Sequence, residues 1–287
     1  MSIVNSELDI PLFSILCPTR NRPENVKRFI KSLRESCDKF SEIEILFYVD
    51  CDDLTFPNDV LSFNIKKIVG NRMWLSMTHN ILYAHSSGQI IMWAADDLVF
   101  KTNGWDTIVK NTFNFYQDHI LLVHANDNAY QSNLATHGFV HKNWVEALGY
   151  FCYPGRTSSP DRWYTEVAHR IGRKVYIPSL LIEHVHHRQG NASAETDAVY
   201  QEKDFLFSVW PWYVSYKKLK CERRADVIIL TDHMNSKPKI DYNYLIGEWL
   251  VKFQQKFGFS FGNNRRLRSL DNFQIIPKIF SNLIKKL

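Results

Sequence analysis

Residues 89–97 read QIIMWAADD, an apolar run that ends on two adjacent aspartates. A short apolar stretch of this kind is the pattern of a strand buried on both faces, as in a parallel sheet covered by helices. Carboxylates at the end of such a strand are costly to hold unless a cation or a hydrogen-bond donor satisfies them. The same arrangement recurs twice upstream. LFSILC (12–17) stops at Pro18 and is followed by Thr19, Arg20 and Arg22, and EIEILFYV (42–49) runs into Asp50, Asp52 and Asp53. Pro23 can open a helix reaching Cys37, with Val26, Phe29, Ile30 and Leu33 as one apolar stripe. IKKIVG (65–70) reads as a third strand, and residues 73–86 as a helix holding Leu75, Asn80, Ile81 and Tyr83, with Gly88 just beyond. A helix near 104–116 and the strand HILLVHA (119–125) complete the alternation. Strands separated by helices predict an α/β protein with a mostly parallel, Rossmann-like central sheet flanked by helices. Such sheets bind ligands in the crevice beyond the carboxyl ends of their strands, and the three polar clusters fall there.

Beyond residue 125 the pattern is less regular. GFVHKNWVEALGYF (138–151) and residues 154–160 read as a loop region over the site. DRWYTEVAHRIG (161–172) predicts a helix with Trp163, Val167 and Ile171 on one face, and KVYIPSLLIEHV (174–185) returns to strand character. With 14% aromatics and only 11 Gly and 10 Pro in 287 residues, the chain is not a disordered one. No apolar run reaches the roughly 20 residues of a membrane span, and the start MSIVNSELDIPLFS lacks the pattern of a secretion signal. The 5 cysteines are scattered, with no CxxC pair, which argues against a disulfide framework or a cysteine zinc site and favours a reduced, cytoplasmic setting.

The clusters suggest chemistry. Asp96 and Asp97 present hard oxygens suited to Mg²⁺ or Mn²⁺, which in turn bind phosphates; the plainer alternative is a helix cap or a solvated turn. In EHVHHRQG, strand alternation puts His184 and His186 on one face and His187 on the other. One of them could join Asp96 at a metal, or all could be hydrogen-bonded loop histidines. Asp161 is either an N-cap or a general base whose pKa burial would tune. Arg20 and Arg22 suit phosphate binding or base stacking, or else surface ion pairs.

Taken in order, these segments resemble the GT-A glycosyltransferases of the family 2 type over residues 11–200. FSILCPTRNRPENVKRFIKSL resembles that family's first strand, nucleotide loop and helix, which implies nucleotide-sugar contacts from Pro18, Thr19, Arg20 and Arg22. EIEILFYVDCDD is similar to the strand ending in the base-reading carboxylate, here Asp50. In NRMWLSMTHNILYAHSSGQIIMWAADD, Asn80 falls near the family's Arg-Asn pair, with His79 in the place of the arginine. Asp96 and Asp97 fall at the DxD motif, with Ala94 where its first carboxylate stands. SSPDRWYTEVAHRIGRKVYIP resembles the helix carrying the catalytic base, Asp161, and His184 or His186 matches the C-terminal metal-ligand histidine. The resemblance implies a divalent metal cofactor, Mn²⁺ or Mg²⁺, a nucleotide-sugar donor (most commonly a UDP-sugar in that family), and inverting displacement at the anomeric carbon.

The tail has a different character. Residues 1–216 hold 20 Lys/Arg against 24 Asp/Glu, and residues 217–287 hold 15 against 6. Residues 1–210 are therefore expected to form the glycosyltransferase domain and 211–287 a mainly helical, basic extension. Aromatics at 210–216 beside KKLK and ERR (217–224), with NNRRLRS (263–269), suggest a polyanionic acceptor such as modified DNA. Trp163, Arg223, Arg224, Arg265 and Arg266 are the expected acceptor contacts. The stripe Ile276, Ile279, Phe280, Leu283, Ile284 and Leu287 suits docking on the protein's own core, or peripheral contact with an anionic membrane.

Overall fold

The computed structural model describes residues 11–154, 160–185, 216 and 218–235. Its strands are β1 (Phe13–Thr19), β2 (Ile43–Asp50), β3 (Ile65–Gly70), β4 (Ile90–Trp93), β5 (Leu98–Phe100), β6 (Leu122–Asn126), β7 (Gly138–His141) and β8 (Lys174–His184). They form a single 8-stranded sheet in the order β3-β2-β1-β4-β7-β6-β8-β5. Strands β3, β2, β1 and β4 are mutually parallel. β7 runs antiparallel between β4 and β6, β8 pairs parallel with β6, and β5 closes the edge antiparallel to β8.

Six helices flank this sheet among the described residues: α1 (Pro23–Ser36), α2 (Leu75–His85), α3 (Trp105–Asn114), α4 (Lys142–Leu148), α5 (Pro160–Arg170) and α6 (Lys220–Met234). Alternation along β1 sends Phe13, Ile15 and Cys17 to one face and Leu16 to the other, so two cores form. The first packs Phe29 and Leu33 of α1 and Trp105 of α3 over the sheet. Trp105 lies centrally there, its ring centroid 5.4 Å from that of Phe13 and 5.8 Å from that of Phe139. The second core packs Leu82 of α2, Trp144 of α4, Tyr164 of α5 and Leu230 of α6 against Leu46 and Trp93.

The structure departs from the sequence expectation in three places. β1 does not stop at Pro18 but runs to Thr19, still paired with β2. The Ala94 amide donates to the Leu16 carbonyl, so the β4 side of β1 faces Leu16 and, two residues on, Pro18. β4 has ended by that point, and the missing proline N–H costs the ladder nothing. Residues 138–151 are not a loop over the site. Phe139 and Val140 fill β7, while Trp144, Val145 and Leu148 bury one side of α4, which closes at Gly149 with φ 84°. The three-residue β5, directly after Asp97, was not anticipated at all. Residues 155–159, the histidines 186–187 and the tail beyond 235 lie outside the described residues, so most of the expected extension does too. What is described of it, α6, packs on α4 and α5 and buries Glu222, Arg223, Asp226 and Leu230.

Gly88 shows how closely β4 is held to β1. A Cβ there would lie 2.6 Å from Ser14 Oγ and 2.8 Å from the backbone of Phe13. The same spot is stitched by the buried Glu44, which accepts from Ser14 Oγ at 2.6 Å and Ser87 Oγ at 2.9 Å. Gly88→Ala is expected to destabilise the fold by about 1–3 kcal/mol, the usual range for overpacking, in a urea unfolding curve.

Candidate active site

Strand order reverses between β1 and β4, and the crevice that opens there gathers the polar strand ends. Asp96, 2% exposed, is held from the β1 side. Thr19 Oγ1 donates to its Oδ2 at 2.6 Å, and Arg22 Nη1 pairs with its Oδ1 at 3.0 Å. Burial raises the Asp96 carboxyl to about 6, against the pull of Arg22 and with a push from Asp97.

Asp97 turns the other way. Leu98 of β5 pairs with His184 of β8, and the Val185 amide donates to the Asp97 carbonyl at 2.9 Å, so the two chains meet at this point. His184 Nε2 lies 3.1 Å from Asp97 Oδ1. Burial pushes the imidazole toward its neutral form, but the hydrogen-bonded Asp97, with Asp127 and Asp161 beyond, leaves its pKa above the ordinary value.

Asp161 opens α5, and its charge and that of His184 act on each other. Its Oδ1 is enclosed and has no hydrogen-bond partner among the described residues. Burial raises this carboxyl to about 6, opposed by the Arg162 amide and by the charges of Arg162 and His184. A partly buried carboxylate with a raised pKa suits a general base.

At the ends of β1 and β2, Arg20 pairs with Asp50 at 3.1 Å and clasps Asp52 through both terminal nitrogens. Burial raises the Asp50 carboxyl, with Arg20 and Arg72 acting in opposition. Asp53 shapes the loop, accepting from the amides of Asn21 and Thr55 at 2.8 Å each.

Not every expected residue faces this crevice. Asn80 joins the backbone of Cys152 through both ends of its amide, at 2.8 and 2.7 Å, which leaves the side chain no free donor–acceptor edge for a sugar nucleotide. His79 is interior, its Nδ1 2.9 Å from the Leu75 carbonyl and its pKa lowered to about 4 by burial. Trp163 and Arg223, expected at an acceptor, point instead into the contact between α5 and α6. The Trp163 indole donates to Asp226 at 2.7 Å, and Arg223 Nε pairs with Glu166 at 2.6 Å. Arg224 is exposed on the outer side of α6. His186, Arg265 and Arg266 lie outside the described residues.

Two residues near the site escaped the sequence reading. Asp127, at the end of β6, accepts from the amides of Ala129, Tyr130 and Gln131 and from Thr136 Oγ1, and those donors outweigh burial to lower its pKa. His137 is buried with its ring 6.4 Å from His184, and burial together with the His184 charge lowers its pKa to about 3. Asp127 obeys the strand-end rule that exposed the other carboxylates, applied to HILLVHA two residues further on.

Among the described residues no group of three His, Cys, Asp or Glu is arranged to hold a metal. The pair Asp97–His184 nonetheless has the right donor chemistry for Mn²⁺. Its 3.1 Å separation is near that of adjacent ligands on an octahedral ion with bonds of about 2.1 Å.

Sheet order, flanking helices and crevice together define a GT-A-type fold. No protein-family model and no curated protein sequence matches the chain. Among solved structures, the mannosyltransferase PcManGT from Pyrobaculum calidifontis, in complex with GDP-Man and Mn²⁺, matches with a TM-score of 0.52 at 11% identity, covering 92% of this chain and 85% of its own. S. aureus TarS matches with a TM-score of 0.45 at 12% identity over 59% of this chain, which spans only 36% of TarS. Its 1–349 portion in complex with UDP-GlcNAc gives a TM-score of 0.44 at 14% identity, covering 79% and 81% of the two chains.

Asp97→Asn, which keeps the side-chain shape and removes the charge, is expected to weaken Mn²⁺ binding at least about tenfold, a loss of about 1.4 kcal/mol. Titration calorimetry with Mn²⁺ alone reads this directly, and an unchanged dissociation constant would remove Asp97 as a ligand.

Proposed function

We propose that this chain is a glycosyltransferase that moves a sugar from a nucleoside-diphosphate sugar to an acceptor hydroxyl, with inversion at the anomeric carbon. One observation carries the reading: Asp161, at the start of α5, has a pKa raised to about 6 and one enclosed carboxylate oxygen without a hydrogen-bond partner among the described residues, and its charge acts on His184 of the Asp97–His184 pair. The likeness in fold to a mannosyltransferase binding GDP-Man and Mn²⁺ supports it.

In this mechanism Asp161 accepts the proton of the acceptor hydroxyl as the oxygen attacks the anomeric carbon, while the nucleoside diphosphate leaves from the opposite face. Arg20 and Asp50 hold the nucleoside end, and Thr19 and Arg22 line the phosphate path beside Asp96. Asp97 and His184, with Asp96 near, would hold a divalent ion; when bound, it supplies positive charge against the diphosphate. Alignment of the two substrates in one crevice supplies much of the remaining rate enhancement.

The donor is a nucleoside-diphosphate sugar, hexose or pentose, with UDP- and GDP-linked sugars the first candidates. The basic balance of residues 217–287 supports a polyanionic acceptor, modified DNA among them, and Lys218, Lys220 and Arg224 are exposed in that segment. Ala94, standing where the resembled motif has its first carboxylate, favours a second reading, a sugar-nucleotide binding module without turnover. A thermal-shift panel of UDP- and GDP-sugars with and without Mn²⁺, followed by nucleoside-diphosphate release from whichever sugar nucleotide binds, separates the two: binding without release supports the module.

Asp161→Asn is expected to lower release at least about 100-fold while donor affinity stays within about twofold. The base works only as the carboxylate, and its pKa is raised, so wild-type kcat should fall as pH drops through about 6. Full release by the Asn variant, or a flat profile between pH 5 and 8, would remove Asp161 as the base.

A further inference from the structure

Helix α5 carries Asp161 at its start and is held on two sides. Toward the sheet, Tyr164 stacks on Trp93 of β4 with ring centroids 4.5 Å apart and an interplanar angle of 12°. Toward α6, Trp163 and Glu166, one helical turn apart, meet Asp226 and Arg223, which are likewise one turn apart. Trp163 Nε1 donates to Asp226 Oδ2 at 2.7 Å, and the Tyr150 hydroxyl donates to Asp226 Oδ1. Arg223 Nε donates to Glu166 at 2.6 Å, and its guanidinium lies 3.8 Å from the centroid of the Tyr216 ring. Asp226 is 2% and Arg223 3% exposed.

Apolar side chains would fill this contact with less desolvation cost, since buried ion pairs rarely improve on hydrophobic packing. What directed hydrogen bonds add is a fixed rotational setting that a flat stack such as Tyr164 on Trp93 lacks. On the inner side the Tyr164 hydroxyl donates to the Phe151 carbonyl and the Ala135 amide to Thr165 Oγ1 at 3.0 Å, and the α6 contacts do the same for the face carrying Trp163 and Glu166. A carboxyl about 6 Å from a helix axis moves about 1 Å for each 10° of roll, on the geometry of an α-helix. A misplacement of that size at a reacting group can lower a rate about 100-fold.

We propose that Asp226 and Arg223 of α6 are positioning residues: through Trp163 and Glu166 they fix the roll of α5 and so aim Asp161 at the acceptor hydroxyl. This rests on the reading of Asp161 as the base. It also gives the helix from the basic tail a task within the reaction, apart from any contact with an acceptor.

The test measures nucleoside-diphosphate release from the UDP- or GDP-sugar selected in the panel. Asp226→Leu keeps the contact filled without a hydrogen bond, and Trp163→Phe keeps a stacked ring without the indole N–H. Each is expected to lower kcat by 10- to 100-fold while KM for the donor and the dissociation constant of the nucleoside diphosphate stay within twofold. Asp226→Asn still accepts from Trp163 through its amide oxygen and should bring kcat back to within about threefold of wild type. A purely structural role predicts lower stability with unchanged kcat per folded molecule, and that result in Trp163→Phe overturns the proposal even if Asp226→Leu fails to fold. Asp161→Asn is run alongside. If it retains release, the base assignment has failed; if it abolishes release while Trp163→Phe and Asp226→Leu keep full kcat, the positioning role alone has failed.

Discussion

The ion pair and hydrogen bond that seat Asp96 set the geometry of everything around the crevice. A carboxylate this deeply buried is tolerable only with partners, and both come from the end of β1: Thr19 at 2.6 Å and Arg22 at 3.0 Å. β1 and β4 are thus tied together just past the point where their ladder ends, with Pro18 on the unladdered side. Asp96 and Asp97 form the corner of a tight turn, closed by the Leu98 amide donating to the Ala95 carbonyl at 3.3 Å, which seats Asp96 toward β1 and leaves Asp97 beside β8. β5 follows at once and pairs with β8, which delivers His184 to Asp97. A three-residue strand can do this because its register is anchored at both ends of the site.

The parallel half of the sheet was legible in the sequence because β1, β2 and β4 are mainly apolar runs ending in polar residues, and α1 between β1 and β2 has a single apolar stripe. The strand ends named the crevice for the same reason. In the other half β6 and β8 were legible as strands, but β7, α4 and β5 were not. β7 is four residues long and α4 seven, so the hydrophobic period changes from two to 3.6 within GFVHKNWVEAL before either pattern can establish itself. β5 is shorter still, and nothing local marks LVF as a strand; only its pairing with β8 makes it one. Asp96, Asp97, His184 and Asp161 were singled out from position along the chain, and the structure sets Asp97 beside His184. Asn80 was expected in the crevice but serves the backbone of Cys152, because sequence spacing places a residue on a helix without saying which neighbour meets its amide.

Charge counting misjudged α6 in an instructive way. The segment around ERRAD reads as part of a basic surface, yet Arg223 is internal, neutralised by Glu166 and stacked on Tyr216, while Arg224 is exposed. Burial raises the carboxyl of Asp226 to about 7, with Glu222 adding to the push, despite hydrogen bonds from Tyr150 and Trp163. A net charge describes the solvated face of a helix, and α6 has turned its most polar side toward α4 and α5.

Asp96, Asp97 and Asp161 differ in what surrounds them, and in the proposed mechanism that difference divides their roles. Asp96 is balanced by Arg22 and Thr19, so its charge holds the scaffold together. Asp97 shares a short contact with an imidazole, the kind of paired oxygen and nitrogen donors a divalent ion takes up. Asp161 has an enclosed oxygen with no partner among the described residues and a pKa raised by burial to about 6, which leaves its lone pair available to a proton. Environments that push like groups apart are how a single pocket separates binding from proton transfer. In the proposed mechanism that separation follows from which strand end or helix start each aspartate occupies.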